Sequence, residues 1–165
     1  MIADPPPLEE TDPRDPAALA CLSRYYGELA ARFAQGFDVS LSRDPEATDM
    51  IRPRGIFLLA RIGTQPAGCA GLKGHGDWGE VKRLWVAPEA RGRGLARHLM
   101  TGIETAARDM GLPVLRLDTN STLAEAVALY RNAGWREIPR FNDDPYPDIF
   151  FEKRLQGCPG LPLPG

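Results

Sequence analysis

Val81-Lys82-Arg83-Leu84-Trp85-Val86-Ala87-Pro88-Glu89-Ala90-Arg91-Gly92-Arg93-Gly94-Leu95-Ala96 joins an apolar, strand-like run to a helix through a turn that carries a proline and two glycines. Glycines at 92 and 94 remove the Cβ atoms that would block a close ligand. The first turn of the helix presents unpaired N–H groups at the positive end of its dipole. The chemistry this arrangement offers is the binding of an anion, phosphate above all, on backbone amides. A P-loop would need a Gly-Lys-Ser/Thr ending, and a dinucleotide turn a third glycine with an acidic residue about 20 positions on; neither pattern is present.

A second stretch, Ala126-Val127-Ala128-Leu129-Tyr130-Arg131-Asn132-Ala133-Gly134-Trp135, sets a phenol on a helix that a glycine closes just before an aromatic residue. Taken with Val86-Ala87-Pro88 upstream, Arg91, Gly94 and Ala96 spell Arg-x-x-Gly-x-Ala, which resembles the pyrophosphate-binding motif of the GCN5-related N-acetyltransferase (GNAT) superfamily. The pattern Ala-x-x-Leu-Tyr-x-x-x-Gly-aromatic resembles the helix and strand that follow that motif. Two motifs in the right order, about 35 residues apart, are far more specific than either alone. The resemblance spans residues 16–155.

What the resemblance implies is an α/β (α+β) chain with the acyl-CoA N-acyltransferase fold, a mixed central β-sheet flanked by helices. The implied activity is acetyl-CoA-dependent N-acetyl transfer to a primary amine, by direct transfer in a ternary complex. Carried over residue by residue, the pyrophosphate of coenzyme A falls to the amides of Arg91, Gly92, Arg93, Gly94, Leu95 and Ala96, with the charges of Arg91 and Arg93 adding attraction. The pantetheine arm would lie like an extra strand beside Leu84, Trp85 and Val86, whose backbone groups would polarise the thioester. Tyr130 matches the family's general acid, which protonates the departing thiolate. The alternative for Tyr130 is a core or helix-surface tyrosine.

For the amine proton, Glu80 is the first choice, eleven positions before Arg91 where some family members carry a catalytic glutamate. Strand alternation would put residues 80, 82, 84 and 86 on one face. A solvated strand-end glutamate, with waters as the base, is the competing reading. His75, between Gly74 and Gly76, is the other base candidate, against a surface histidine in a glycine-rich turn. Asp118 would bind substrate or cap a turn; Asp143 and Asp144 would favour a cationic amine or simply make a turn. Where many family members carry an asparagine seven residues before the tyrosine, this chain has Leu123, and Asn120 is the candidate to replace it in cofactor contact.

The elements that must position these groups follow from pattern. Asp15-Pro16 opens a helix with Leu19, Leu22, Tyr26, Leu29 and Phe33 on one face, closed by Gly36. A loop from Phe37 to Arg54, with a short helix opening at Asp44-Pro45, borders the acceptor site in the family. Gly55 to Ile62 and Pro66 to Leu72 make a hairpin, followed by a strand from Glu80 to Val86. The helix after the phosphate turn buries Leu95, Leu99, Ile103, Ala106 and Met110. A strand from Val114 to Thr119 comes next, and Thr122-x-x-Glu125 reads as a capping box that opens the Tyr130 helix. Trp135 to Pro139 and Ile149 to Leu155 supply the last strands. The order β-β-β-α-β-α-β-β after a helical opening excludes an all-parallel doubly wound sheet. Residues 1–15 read as a loose segment with a short edge strand near Leu8 to Thr11, residues 16–155 as one catalytic domain, and residues 156–165 as a Pro/Gly-rich tail.

The chain has 165 residues, 43% hydrophobic and 25% charged, with a net charge of -2. That is the size of one domain and gives no reason to expect nucleic acid or an anionic membrane as partner. Cys21, Cys69 and Cys158 suit neither a disulfide framework nor a zinc site, so no metal is expected and the thiols read as reduced and cytoplasmic. No apolar run approaches the ~18 residues of a membrane span. The expected partner is a small-molecule or peptide amine, and exposed edge strands are compatible with a homodimer. A contrasting function is a non-catalytic domain of the same family that senses acetyl-CoA or CoA. Tyr130 and Glu80 favour the enzyme, because a pure binder has no chemical need for either.

Overall fold

The computed structural model describes residues 5–41 and 47–156. Its elements run β1 (Leu8–Glu10), α1 (Pro16–Arg32), β2 (Gly55–Ile62), β3 (Gln65–Gly74), β4 (Trp78–Val86), α2 (Leu95–Asp109), β5 (Val114–Thr119), α3 (Ala124–Asn132), β6 (Arg136–Ile138) and β7 (Ile149–Arg154). Seven strands form one sheet in the order β1-β2-β3-β4-β5-β7-β6. Every neighbouring pair is antiparallel except β4 and β5. A mixed sheet flanked by helices is the fold class expected from the sequence. The edge strand expected near Leu8 is β1, within the stretch read as a loose N-terminus. The expected short helix at Asp44-Pro45 and the tail beyond residue 156 lie outside the described residues.

Helices cover both faces of β3. Cys69 meets Cys21 of α1, while a Cβ on its neighbour Gly68 would touch Leu95 and Leu99 of α2, and adjacent strand residues point to opposite faces. That is why β2 and β3 read as continuous apolar runs rather than alternating ones. Leu99 and Ile103 of α2 are fully buried, and truncating either to alanine would cost about 2–5 kcal/mol. In α1 the apolar face is turned relative to the expectation. Leu19 is 51% exposed, whereas Ala18, Cys21, Leu22 and Leu29 enter the core. Small side chains at 18 and 21 let the helix approach the sheet closely, which a count of large apolar residues misses. Among the described residues no helix is long and apolar enough to cross a membrane.

One irregularity shapes the functional side of the sheet. In β4 the register against β3 slips by one residue, from Lys82 opposite Gly71 to Trp85 opposite Cys69. Arg83 takes a positive φ of 60° there, as an extra residue in a strand often does. The slip ends the alternation, so residues 80, 82, 84 and 86 do not share one face as the sequence had suggested. Parallel pairing of β4 with β5 stops at Glu80–Arg116. Beyond it the two strands diverge and leave a wedge open toward the C-terminal end of β4.

Candidate active site

A cleft of about 470 Å³ fills that wedge. Its first wall is continuous in sequence: Leu84, Trp85 and Val86 of β4, then Arg91, Gly92, Gly94, Leu95 and Ala96. A short 3-10 turn, Pro88–Ala90, carries the chain round. Gly92 and Gly94 then take φ of 80° and 79°, and Gly94 is the N-cap of α2. This left-handed conformation strains any residue with a Cβ. The helix that follows begins with amides that have no acceptor within it. The turn therefore offers a cradle of N–H groups that a bulkier residue at 94 would distort.

Side chains of this wall hold the turn. Arg91 donates from Nε to the Val86 carbonyl at 3.0 Å and from Nη2 to Glu28 at 2.6 Å. Its charge is thus committed to α1, contrary to the expectation that it would reach toward phosphate. Arg93 is exposed and is not among the residues lining the cleft.

Tyr130 lines the opposite wall and is 6% exposed. Its ring packs against Trp135 and Phe151, with centroids 5.9 Å away in each case. Burial, and secondarily the negative charge of Asp118, push its phenol well above the ordinary value. The hydroxyl therefore stays protonated across the physiological range. Tyr25 of α1, which sequence reasoning passed over, is also in the cleft. Burial first, then its interaction with Tyr130, pushes its phenol up in the same way.

Glu80, the expected base, is not among the residues that line the cleft. It is 5% exposed, with His75 Nε2 at 2.9 Å from one oxygen and Lys82 Nζ donating to the other at 3.2 Å. Burial alone would raise its carboxyl. Hydrogen bonds from His75 and Lys82, with the charge of Lys82, outweigh burial and hold it at about 2. Both oxygens of the carboxylate are thus already engaged. His75 is equally committed, its ring stacked on Trp78 at 4.2 Å. These residues form a buried ion-pair cluster beside the parallel segment of β4 and β5.

Asn120 lines the cleft, but its side chain is spent locally. Nδ2 donates to the Tyr146 carbonyl at 2.7 Å, and Oδ1 accepts from the Thr122 amide at 2.9 Å and the Thr122 hydroxyl at 2.7 Å. It fastens the end of β5 to the β6–β7 loop rather than presenting a free amide to a cofactor. The same bonds undo the expected capping box. Leu123 is the N-cap of α3 with no side-chain cap, because Thr122 faces Asn120 and Glu125 pairs with Arg32.

The rest of the cleft draws on distant segments. Tyr26 stacks on Phe37 with centroids at 5.6 Å, and Tyr146 lies 4.6 Å from Phe37 and 5.7 Å from Phe33. All four rings line the cleft. The sequence marks Tyr26 and Phe33 only as helix-face residues; nothing local ties them to Tyr146. Asp118 and Asp144 complete this side, whereas Asp143 is exposed.

Comparison with known proteins agrees with this geometry. Residues 22–135 match the Acetyltransferase (GNAT) family. Over 140 residues the chain is 35% identical to an IAA acetyltransferase of Azospirillum brasilense, covering 81% of this chain and 86% of that one. A GNAT-family acetyltransferase from Staphylococcus aureus Mu50 superposes with a TM-score of 0.78 at 18% identity, covering 91% of this chain and 99% of that one. The PaiA N-acetyltransferase of Thermoplasma acidophilum, solved with coenzyme A, superposes with a TM-score of 0.69 at 17% identity over 90% and 98% of the two chains. A glycine turn at the start of α2, a buried tyrosine and a seven-stranded mixed sheet thus occur together in a chain that belongs to the GNAT family of acetyltransferases.

Proposed function

We propose that this enzyme moves the acetyl group of acetyl-CoA directly to a primary amine while both substrates are bound. The observation that carries the reading is that the glycine turn and Tyr130 line one cleft, at the wedge between β4 and β5. Acetyl-CoA supplies an acyl carbon open to attack by an amine lone pair, with a thiolate as leaving group. The amides of Gly92, Arg93, Gly94, Leu95 and Ala96 hold the pyrophosphate. The edges of Leu84, Trp85 and Val86, freed where β5 diverges, receive the pantetheine amides as a further strand would. Tyr130 gives its proton to the departing sulfur. Because burial pushes its phenol up, the hydroxyl is protonated when the thioester binds, and the phenolate left after it gives its proton to the sulfur is reprotonated from solvent before the next turnover. The amine must arrive neutral at the acyl carbon. With Glu80 locked in its ion pairs, its proton leaves toward the open acceptor side.

The test is calorimetric titration with acetyl-CoA, together with thiol release across a panel of primary amines on the same sample. Tight binding with turnover, and double-reciprocal lines that intersect, are expected. Parallel lines would replace direct transfer by an acetyl-enzyme route. Binding without turnover of any amine would make the protein a sensor, and no binding would mean the turn does not hold phosphate.

A further inference from the structure

The acceptor side of the cleft contains a polar atom that the fold leaves unsatisfied. Oδ1 of Asp144 is buried with no hydrogen-bond partner among the described residues, and the residue is 8% exposed. A buried carboxylate oxygen without a donor is expensive, and native folds keep few of them. The loop around it is fixed. The Asp144 amide donates to Asn142 Oδ1 at 3.0 Å, Arg140 Nη1 donates to the Asp144 carbonyl at 3.2 Å, and Asn142 Nδ2 donates to Asp118 Oδ2 at 2.7 Å. These bonds fix the loop, and Asp144 lines the cleft.

Its surroundings select a ligand. The charged groups that act on it are Asp118 of β5 and Lys82, Arg83 and Glu80 of β4, and Arg140 of its own loop bonds its carbonyl. Lys82 is bonded to Glu80 and Arg83 to the Tyr26 hydroxyl. Burial first, and then the charge of Asp118, raise the Asp144 carboxyl, against the pull of Lys82 and Arg83. A cation placed between Asp144 and Asp118 would relieve both effects. The same cleft holds the rings of Tyr146, Phe37 and Tyr26, which offer apolar surface.

We propose that Asp144 captures the ammonium group of the acceptor, an amine carried on an apolar body that lies against Tyr146, Phe37 and Tyr26. This rests on the transferase reading above and names the side chain that selects its acceptor. The role is binding, since a primary amine is a cation at neutral pH and an aspartate is its natural counter-charge.

Thiol release with 2-phenylethylamine as probe, on the full chain and its Asp144→Asn variant across pH, tests the inference. The variant keeps the shape and removes the charge. Its KM for the amine should rise roughly 10- to 100-fold, the usual effect of deleting a charged hydrogen-bond partner, with the KM for acetyl-CoA unchanged within about twofold. In the wild type the amine KM should climb as pH falls through the Asp144 titration, a climb absent from the variant. A merely structural role would move both KM values together. Should the asparagine variant fail to fold, Asp144→Ser carries the same expectation. An unaltered amine KM overturns the inference, and so does a wild-type enzyme that acetylates spermidine but not 2-phenylethylamine. Loss of acetyl-CoA binding, or binding without turnover of any amine, overturns the transferase reading and this inference with it.

Discussion

The two halves of the cleft are made of different material. The half proposed to hold the donor is one contiguous stretch, Leu84 to Ala96, which offers backbone amides and carbonyls set by a strand end, a turn and a helix start. The acceptor half gathers side chains from α1, from Phe37, from the end of β5 and from the β6–β7 loop, with Tyr146 bonded across 108 residues to Asp38. A backbone site is insensitive to most side-chain replacements but intolerant of a wrong φ. A side-chain site is the reverse, and one atom such as Asp144 Oδ1 can set what it binds. Binding a constant donor and a particular acceptor is well served by that division.

The largest expected effect breaks the backbone half. Gly94→Val places a β-branched residue at a φ of 79° and crowds the amide cradle, so calorimetry should show acetyl-CoA affinity reduced by about 100-fold or more. Native affinity would mean the turn is not the phosphate site. Next is Tyr130→Phe, which keeps the packing on Trp135 and Phe151 and removes only the proton. A drop in kcat of roughly 100-fold with acetyl-CoA affinity within about twofold is expected. An equal loss in binding would assign the hydroxyl to holding the donor.

The same division explains what was legible in the sequence. Strand β5, the turn at Gly92 and Gly94, and the Tyr130 helix could be read because each is encoded in residues a few positions apart. The burial of Glu80 and its contact with His75 were not legible, because they depend on how β3 and β4 pair, and the bulge at Arg83 cancels the alternation expected of residues 80 to 86. The bonds that Asn120 and Thr122 make were hidden for a related reason. The carbonyl that claims Asn120 comes from Tyr146, 26 residues later, and no local pattern announces it. Asp144 stood beside Asp143 in the sequence as an equal; only the loop fold turns one inward and the other out.

Glu80 sharpens the comparison from outside the cleft. Its carboxyl is held at about 2 against an ordinary value of 4.5. The stabilisation is therefore complete above about pH 4.5 and is lost as pH falls toward 2. By linkage the shift corresponds to about 3 kcal/mol of stability. Glu80→Gln should lower stability at neutral pH by about 1–3 kcal/mol while leaving kcat within about twofold, and the difference from wild type should shrink as pH falls through that window. Denaturant melts and thiol release on the same preparations would check it. A large kcat loss with unaltered stability would restore Glu80 as the base.

Arg91 gives the smallest effect and tests whether a side chain in the backbone half acts by charge or by posture. Its guanidinium bonds Val86 and Glu28, so Arg91→Ala should loosen the turn and weaken acetyl-CoA binding by about threefold, within the range of a partly exposed ion pair. If the side chain only holds the turn, added salt should weaken acetyl-CoA binding to wild type and variant in parallel, because the amides that meet the phosphates are the same in both. Were the guanidinium to contact phosphate directly, the variant would lose part of the salt dependence, since screening acts on the charge pair removed. Parallel salt curves would leave the donor site as backbone alone; converging curves would add a side chain to it.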